Sequence, residues 1–480
     1  MEEEIKLLLE KLKSDPDNAV KDFEARKKAD TAEFIKEFDG DRDIRDTQLE
    51  TLQKDKTVGK GADQRLVRKA RLKVQFQKKI VRTASAFEVG EPVTIKPNDT
   101  NSKLHKEVDA AWRNNRIDSK VKELIKFKKS HTEAAILFYL KQLTPETLIG
   151  KFLGTLGINQ KFEIKTRVIT NKNASLYPYF DSSGDMIAFG YGFGTKINDK
   201  EIKNLWVYTA DSLIKLDNSG GTFAFIETKP HGFAKIPIVY VSQEEPEWFD
   251  VKDLIDRYEV AVSKHSDSND YSAHPILIVE GDVKGAPDKN ETGKVFNIPV
   301  KLGGDDGKTV IKGDIRFLTY DQAPEAVKLE LETIDDNIHN ITSTPNLSFN
   351  NVKGIGAVSG IALKLMFLDA ITKAKDNEGD NRTMYERIIN IIVSGTVKTI
   401  NTSLTKEANE LVYDIQFNSI LPDDLKTAAD VVSTLRSAGV ISKKTSIQYL
   451  QMVQDIEEEM AEIETEEATK TEPTDPPNTI

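Results

Sequence analysis

From Asp321 to Gly395 the chain reads as helix, pliant loop and long helix, and the remaining segments must be arranged around that order. Val327, Leu331, Ile334, Ile338 and Ile341 recur at steps of four and three, which draws one apolar stripe along a helix. The stretch from Thr342 to Gly360 then carries Pro345, the pair Asn350 and Asn351, and glycines at 354, 356 and 360. Such residues stop helix and strand alike and predict a mobile excursion. Ser359 can cap the next helix, and apolar residues dominate from Ile361 to Ile371 and again from Met384 to Ile400. A loop slung between two apolar helices predicts a moving part held by a rigid frame.

At 480 residues the chain exceeds what one core organises, so two or more domains are expected. Its net charge of −11 argues against broad adhesion to nucleic acid through phosphate contacts. With no cysteine, disulfides, thiolate zinc sites and cysteine nucleophiles are excluded. No apolar run reaches the roughly 20 residues that span a bilayer, and the acidic amino terminus does not read as a signal peptide. A soluble chain made in a cytoplasm, without a membrane partner, is expected.

Taken in order, residues 1 to 52 read as charged helix, with Ile5, Leu8, Leu9 and Leu12 as a first stripe. From Lys54 to Arg82 the balance turns basic, through Arg65, Arg68, Lys69, Arg71, Lys73, Lys78, Lys79 and Arg82. Leu66, Val67, Leu72, Phe76, Ile80 and Val81 are interleaved, which predicts an amphipathic helix. That helix could contact nucleic acid or an acidic partner, or form a solvated face paired with the acidic segments beside it. Phe87 to Ile95 reads as a turn into a strand. Residues 102 to 149 read as helix, with Trp112 and Ile136-Leu-Phe-Tyr-Leu140 in the core.

Between Lys161 and Val241 the period becomes two. Strands are expected at 162–169, 185–191, 205–209, 212–216, 222–226 and 236–241, separated by turns at Ser182–Gly184, Asn218–Gly221 and Pro230–Gly232. Gly190, Gly192 and Gly194 open no helix, so they are read as bulges or close backbone approaches rather than a dinucleotide loop. Glu245 to Ser272 comes next as a helix, with Val251, Leu254, Ile255, Tyr258 and Val262 on one face. Strands at 276–280, 294–300 and 315–320 then form a small β insertion. Chain geometry makes the helices on either side of it, 249–272 and 324–341, candidates for an antiparallel pair with the insertion at its tip. Beyond a strand at 411–417 come two helices. One carries Leu425, Ala428, Val432 and Leu435, capped by Gly439; the other opens at Ser442 and runs through Ile447, Leu450, Val453, Ile456 and Met460. The tail from Thr465 is expected to be disordered.

Two tempting sites fall away. His265, Asp267, Asp270 and His274 match no metal-ligand spacing and read as a polar helix end, so no metal or cofactor is implied. The glycines of 353–360 lack the Gly-Lys-Ser/Thr ending of a phosphate loop, and a helix rather than a strand precedes them. An enzyme using that loop would need a nucleophile, a base and a metal set, and none can be assembled.

Four blocks, in order, resemble a known family. Lys73-Val-Gln-Phe-Gln-Lys-Lys-Ile-Val-Arg-Thr-Ala-Ser-Ala-Phe-Glu-Val-Gly-Glu-Pro-Val93 is one, and Asp253-Leu-Ile-Asp-Arg-Tyr258 with Ala273-His-Pro-Ile-Leu-Ile-Val-Glu-Gly281 is the second. Thr344-Pro-Asn-Leu-Ser348 with Ser359-Gly-Ile-Ala-Leu-Lys364 is the third, and Gly439-Val-Ile-Ser-Lys-Lys-Thr445 with Asp455-Ile-Glu-Glu-Glu459 the fourth. The set resembles the portal proteins of long-tailed double-stranded DNA bacteriophages. The chain departs from that pattern in a charged insertion around residues 24 to 64, and in Lys353-Gly-Ile-Gly356 where an aromatic-glycine pair is expected.

The resemblance implies an α+β portal fold. Its parts would be a wing (1–245), a two-helix stem (246–274 and 321–341), a β-rich clip (275–320), a tunnel loop (342–359), a wing long helix and strand (360–416) and a helical crown (417–464), with a disordered tail at 465–480. It implies no catalysis. It implies a ring, usually of twelve subunits, at one capsid vertex of the virion, through which double-stranded DNA is packaged and ejected regardless of sequence. Implied partners are the terminase large subunit, head-completion or adaptor proteins, and the major capsid and scaffolding proteins. Thr344, Asn346, Ser348, Asn350, Asn351 and Lys353 would face the DNA channel, and Glu280, Asp282, Lys284, Lys294 and Lys301 would serve partner docking at the clip. The rival reading is another virion adaptor or scaffold component.

Overall fold

The computed structural model describes residues 2–28, 30–42, 44, 54–58, 61–143, 162–197, 199–272, 276–280, 301–303, 309–311, 314–318, 324–346, 364–420, 425–450 and 456–470. The amino-terminal helices are α1 (Glu2–Ser14), α2 (Pro16–Glu24) and α3 (Thr31–Asp39), followed by a two-stranded ribbon of β1 (Lys56–Val58) and β2 (Arg65–Val67). Next come α4 (Phe76–Val89), β3 (Thr94–Pro97), α5 (Lys103–Asn115), α6 (Ile117–His131) and β4 (Glu133–Gln142). A run of strands continues the chain: β5 (Phe162–Thr170), β6 (Ser175–Phe180), β7 (Met186–Ile197), β8 (Lys200–Tyr208), β9 (Ser212–Asp217), β10 (Ala224–Pro230) and β11 (Ile238–Ser242).

These build four layers. A five-stranded antiparallel sheet, ordered β10-β9-β8-β7-β6, carries α1 and α2 on one face through Leu8, Leu12, Val20 and Phe23. Its other face meets a three-stranded sheet, β11-β4-β5, through Phe189, Tyr191, Tyr208 and Ile238. The far face of that smaller sheet is covered by α5 and α6. Alternation along β4 decides the arrangement: Ala135 and Leu137 point into the sheet–sheet core, Ala134, Ile136 and Phe138 into the helical one. Both faces are therefore buried, and each large side chain contributes about 1.5–3 kcal/mol. Gly190 of β7 lets α2 approach, because a Cβ there would stand 2.8 Å from the Phe23 ring and 3.1 Å from Tyr177 Cβ. The structure makes the glycine-rich strand a close approach, and the β7–β8 register runs unbroken past Gly190, Gly192 and Gly194.

After a single 3₁₀ turn at Phe249–Val251, α7 (Lys252–Ser272) and α8 (Pro324–Ile341) pack together. Val251, Ile255, Ile334 and Ile338 share a core with Phe34, Phe38, Phe76 and Ile80, and Arg257 reaches Glu330 at 2.5 Å, so the two helices run antiparallel. Between them lie β12 (Ile276–Glu280), β13 (Lys301–Gly303), β14 (Thr309–Ile311) and β15 (Asp314–Leu318), paired as β12–β15 and β13–β14. The chain continues through α9 (Leu368–Asp376) and α10 (Glu378–Gly395), which closes with a π turn at Thr396–Ile400, then α11 (Thr405–Glu410) and β16 (Tyr413–Gln416). α10 buries Met384, Tyr385, Ile388 and Ile392 against α5 and the small sheet, and β16 pairs with β3. Last come α12 (Leu425–Ser437), α13 (Lys443–Leu450) and α14 (Ile456–Lys470).

Several sequence expectations are corrected. Residues 54–82 are not one helix: they form the β1–β2 ribbon, a strap, and α4 only from Phe76. The helix expected over 102–149 ends at His131, and Ile136–Leu140 belong to β4. Phe87 to Val89 still belong to α4, and the strand begins at Thr94. β6, with Pro178 inside it, was not expected. α14 continues past Thr465 to Lys470. The strand expected at 294–300 and the Ser359 cap lie outside the described residues. Gly439 does cap α12, with φ at +71° and the amide of Val440 returning to Leu435 O at 2.9 Å.

Candidate loop anchor and docking elements

Where α8 ends, the chain makes a left-handed turn at Ser343 (φ +53°), a conformation that glycine occupies more readily. The amide of Thr344 returns to His339 O at 3.0 Å and that of Ser343 to Asn340 O at 3.2 Å, closing the helix. The Thr342 hydroxyl donates to Ile338 O at 2.7 Å and lies 2.6 Å from the hydroxyl of Thr344.

Three side chains then fasten residues 344–346. His339, almost fully buried, places Nδ1 2.8 Å from Thr344 O; a carbonyl only accepts, so Nδ1 carries the proton. Nε2 is left as the acceptor for Lys79 Nζ at 3.0 Å. Burial first, and then the Lys79 charge, lower the His339 pKa, in keeping with a neutral ring. Lys79 also donates to Asn346 Oδ1 at 2.9 Å, and Asn346 Nδ2 donates to Asp335 Oδ2 at 2.7 Å. The clamp thus joins α4, α8 and the first residues beyond α8.

From this clamp a buried polar chain leads into the body. Lys373 of α9 donates to Thr342 O at 2.9 Å and stands 2.5 Å from Glu247. Glu247 meets Lys129 of α6 at 2.7 Å, and Lys129 meets Glu88 of α4 at 2.7 Å. Asn381 of α10 donates to Glu88 at 2.8 Å. Burial by itself would lower the Lys129 pKa, but the two carboxylates outweigh it and the net shift is upward. Ion pairs this buried need every partner in place.

A second device grips α7. Residues 68–74 run beside it, and the amides of Ala70, Leu72 and Val74 donate to Asp267 (2.8 Å), Ser263 (2.9 Å) and Glu259 (2.5 Å). Every second residue of an extended chain advances about 6.6 Å and every fourth of a helix about 6 Å, so the two ladders stay in step. Glu259 is paired with the buried Arg42 as well.

Of the sequence-expected channel residues, Thr344 is buried in the anchor and Asn346 belongs to the clamp. Ser348, Asn350, Asn351 and Lys353 lie outside the described residues. Of the residues expected to serve partner docking, Glu280 pairs in register with Asp314 and Lys301 with Ile311, while Asp282, Lys284 and Lys294 lie outside the described residues. Of the metal-site candidates, Asp267 accepts the Ala70 amide and His265 Nε2 lies 3.3 Å from Asn269. Among the described residues no cluster of three or more His, Asp or Glu could hold a metal, and no helix is long and apolar enough to cross a membrane. Sequence reading missed these roles for His339, Lys373, Glu247, Lys129 and Glu88, and Lys79, expected on a basic outer face, turns to His339 and Asn346. A signal existed: Lys129 continues the apolar steps Val121 and Ile125, and Glu88 comes after Val81 and Ala84, so each places a charge on an apolar face.

The described residues thus combine an antiparallel helix pair, a small β insertion and a layered α+β body. The family described as "Phage portal protein, SPP1 Gp6-like" matches residues 18–473, and the chain belongs to that family. It is similar to a chain of the virion of a native gene transfer agent particle at 10% identity and a TM-score of 0.40, over 89% of this chain and 94% of that one. A chain from the neck of the empty particle, computed with C6 symmetry, gives 10% identity and 0.39, over 79% and 90%. One from the neck of the native particle, computed with C12 symmetry, gives 12% and 0.36, over 78% and 88%. No curated protein is a significant match.

Proposed function

We propose that the chain is the repeating subunit of a portal ring at one vertex of a viral head, the conduit for DNA packaging and ejection. The observation that carries this reading is membership of the portal family across residues 18–473. In it, α7 and α8 form the stem, residues 275–320 the clip that docks terminase and later the head-completion proteins, and 342–359 the tunnel loop. Residues 1–245 with 360–416 form the wing and 417–464 the crown. The family is structural, and the chain is read as having no enzymatic activity.

The physics of a conduit supports the reading. Copies at −11 each present an acidic wall, and a polyanion slides past such a wall without sticking. Contacts that let DNA slide are weak and blind to sequence. The anchor at 342–346 gives the loop a fixed root on three helices.

Electron microscopy of the purified chain, alone and co-produced with its capsid proteins, tests the proposal. Perforated rings are expected, and compact unperforated particles in both preparations would end it. Two deletions test the parts. Removing 345–357 should leave rings that package or retain DNA poorly, and removing 281–312 should leave rings that no longer dock the motor.

A further inference from the structure

The outward faces of two elements carry opposite charge at matching heights along the helix pair. On α8, Glu325, Leu329, Glu332 and Asp336 recur at steps of four, three and four, opposite the buried stripe of Ile334 and Ile338. All four are exposed, Leu329 at 65%. Glu332 and Asp336 stand at i,i+4, a like-charge spacing that destabilises their own helix. On the other element, Lys78 and Arg82 are exposed on α4 at the same i,i+4 spacing, and the strap below them exposes Arg68 and Leu72. No ion pair holds Lys78, Arg82 or Asp336 among the described residues. Glu332 has only the exposed 3.9 Å contact of Lys328, so on each face opposite charge from outside would relieve a like-charge repulsion.

Height can be read from the contacts. Arg257 meets Glu330 across the antiparallel pair. Six residues further along α7 stands Ser263, about 9 Å away at ~1.5 Å per residue, level with Pro324 of α8. Leu72, bonded to Ser263, therefore sits level with the first turn of α8, and Val74, bonded to Glu259, close to Leu329. Lys79 touches His339, so Lys78 lies near the height of Asp336. The strap climbs in step with α8. Glu259 and Ser263 lie roughly 120–160° around α7 from Arg257, so the strap occupies a flank of α7 other than the one that reaches α8.

A cyclic ring has no rise along its axis, so two patches that meet between neighbours must lie at equal height. We propose that the strap and α4 of one copy dock on the outward stripe of α8 of the next. Lys78 and Arg82 reach Asp336 and Glu332 with long side chains that span about a helical turn, and Leu72 packs within roughly one to one and a half turns of Leu329, a gap a short cross-linker bridges. This rests on the reading of the protein as a ring. DNA is the other occupant a basic face can take, but cations gripping phosphates would oppose sliding.

The test uses rings taken from particles assembled with the capsid proteins. Lys78→Glu with Arg82→Glu, or Glu332→Lys with Asp336→Lys, should each cut ring yield at least tenfold, and all four together should restore it. Because the chain has no cysteine, Leu72→Cys with Leu329→Cys gives a clean second measurement. A short bis-maleimide should join that double variant into a ladder of multimers on a denaturing gel, while each single variant runs as monomer. Wild-type-like rings in both charge reversals, cross-links within one chain only, or no ladder from intact rings would overturn the interface. A charge-reversed α4 that forms rings but packages DNA poorly, without rescue by the α8 reversal, would assign the basic face to DNA instead. An absence of rings from wild-type particles would sink the ring reading itself.

Discussion

Lys129 Nζ stands 2.7 Å from Glu247, inside the body of the protein, with both side chains nearly sealed from solvent. The pair joins α6 to the segment that enters α7, and Glu247 hands the contact on to Lys373 and the turn after α8. Lys129→Met would leave Glu88 and Glu247 buried without their shared cation. We expect a loss of about 3–5 kcal/mol in denaturant unfolding. Glu247→Gln, which keeps a hydrogen-bond acceptor, should cost less.

The strap invites a smaller and more local change. Ser263→Ala removes the acceptor of the Leu72 amide while Ala70 and Val74 keep theirs. A cost of about 1–2 kcal/mol is expected. Hydrogen exchange should show faster exchange at Leu72 than at Val74; equal protection in the variant and the parent would contradict the ladder.

His131 is fully buried at the end of α6, its ring edge-on to Phe38 and 5.0 Å from Phe127, and burial drives its pKa down to about 4. The unfolded chain, with an ordinary value near 6.5, binds the proton first as pH falls. Stability from this group is thus complete above about pH 6.5 and is lost on acidification towards pH 4, by at most ~3 kcal/mol. Unfolding free energies measured from pH 7 to 4 should fall more steeply for the parent than for His131→Leu.

At the loop anchor, Lys79→Met removes the cation that faces His339 Nε2. The His339 pKa should rise towards its ordinary value while remaining below it, since burial is the larger cause of its depression. Titration of the ring by NMR reads this directly. An unchanged value would mean that Lys79 does not face the ring in solution.

Much of the fold was legible because it is local. The steps from Val327 to Ile341 foretold α8, and alternation foretold most of the large sheet. Gly439 foretold the end of α12, since only a residue at ease with positive φ closes a helix that way. The basic stretch misled for a physical reason. The apolar spacing of residues 66–81 suits a helix, yet the amides of 70, 72 and 74 are satisfied by Asp267, Ser263 and Glu259, some two hundred positions later. Ile136–Leu140 misled differently, because a strand buried on both faces loses its alternation and looks like any apolar run.

By itself the sequence determined which segments are amphipathic, where turns fall, and, through the ordered blocks, the portal resemblance. It determined these because periodicity and turn chemistry act over a few neighbouring residues. Only tertiary structure decided which buried charges meet: Glu88, Lys129 and Glu247 stand on separate elements, and each is costly to bury until the fold supplies its partner.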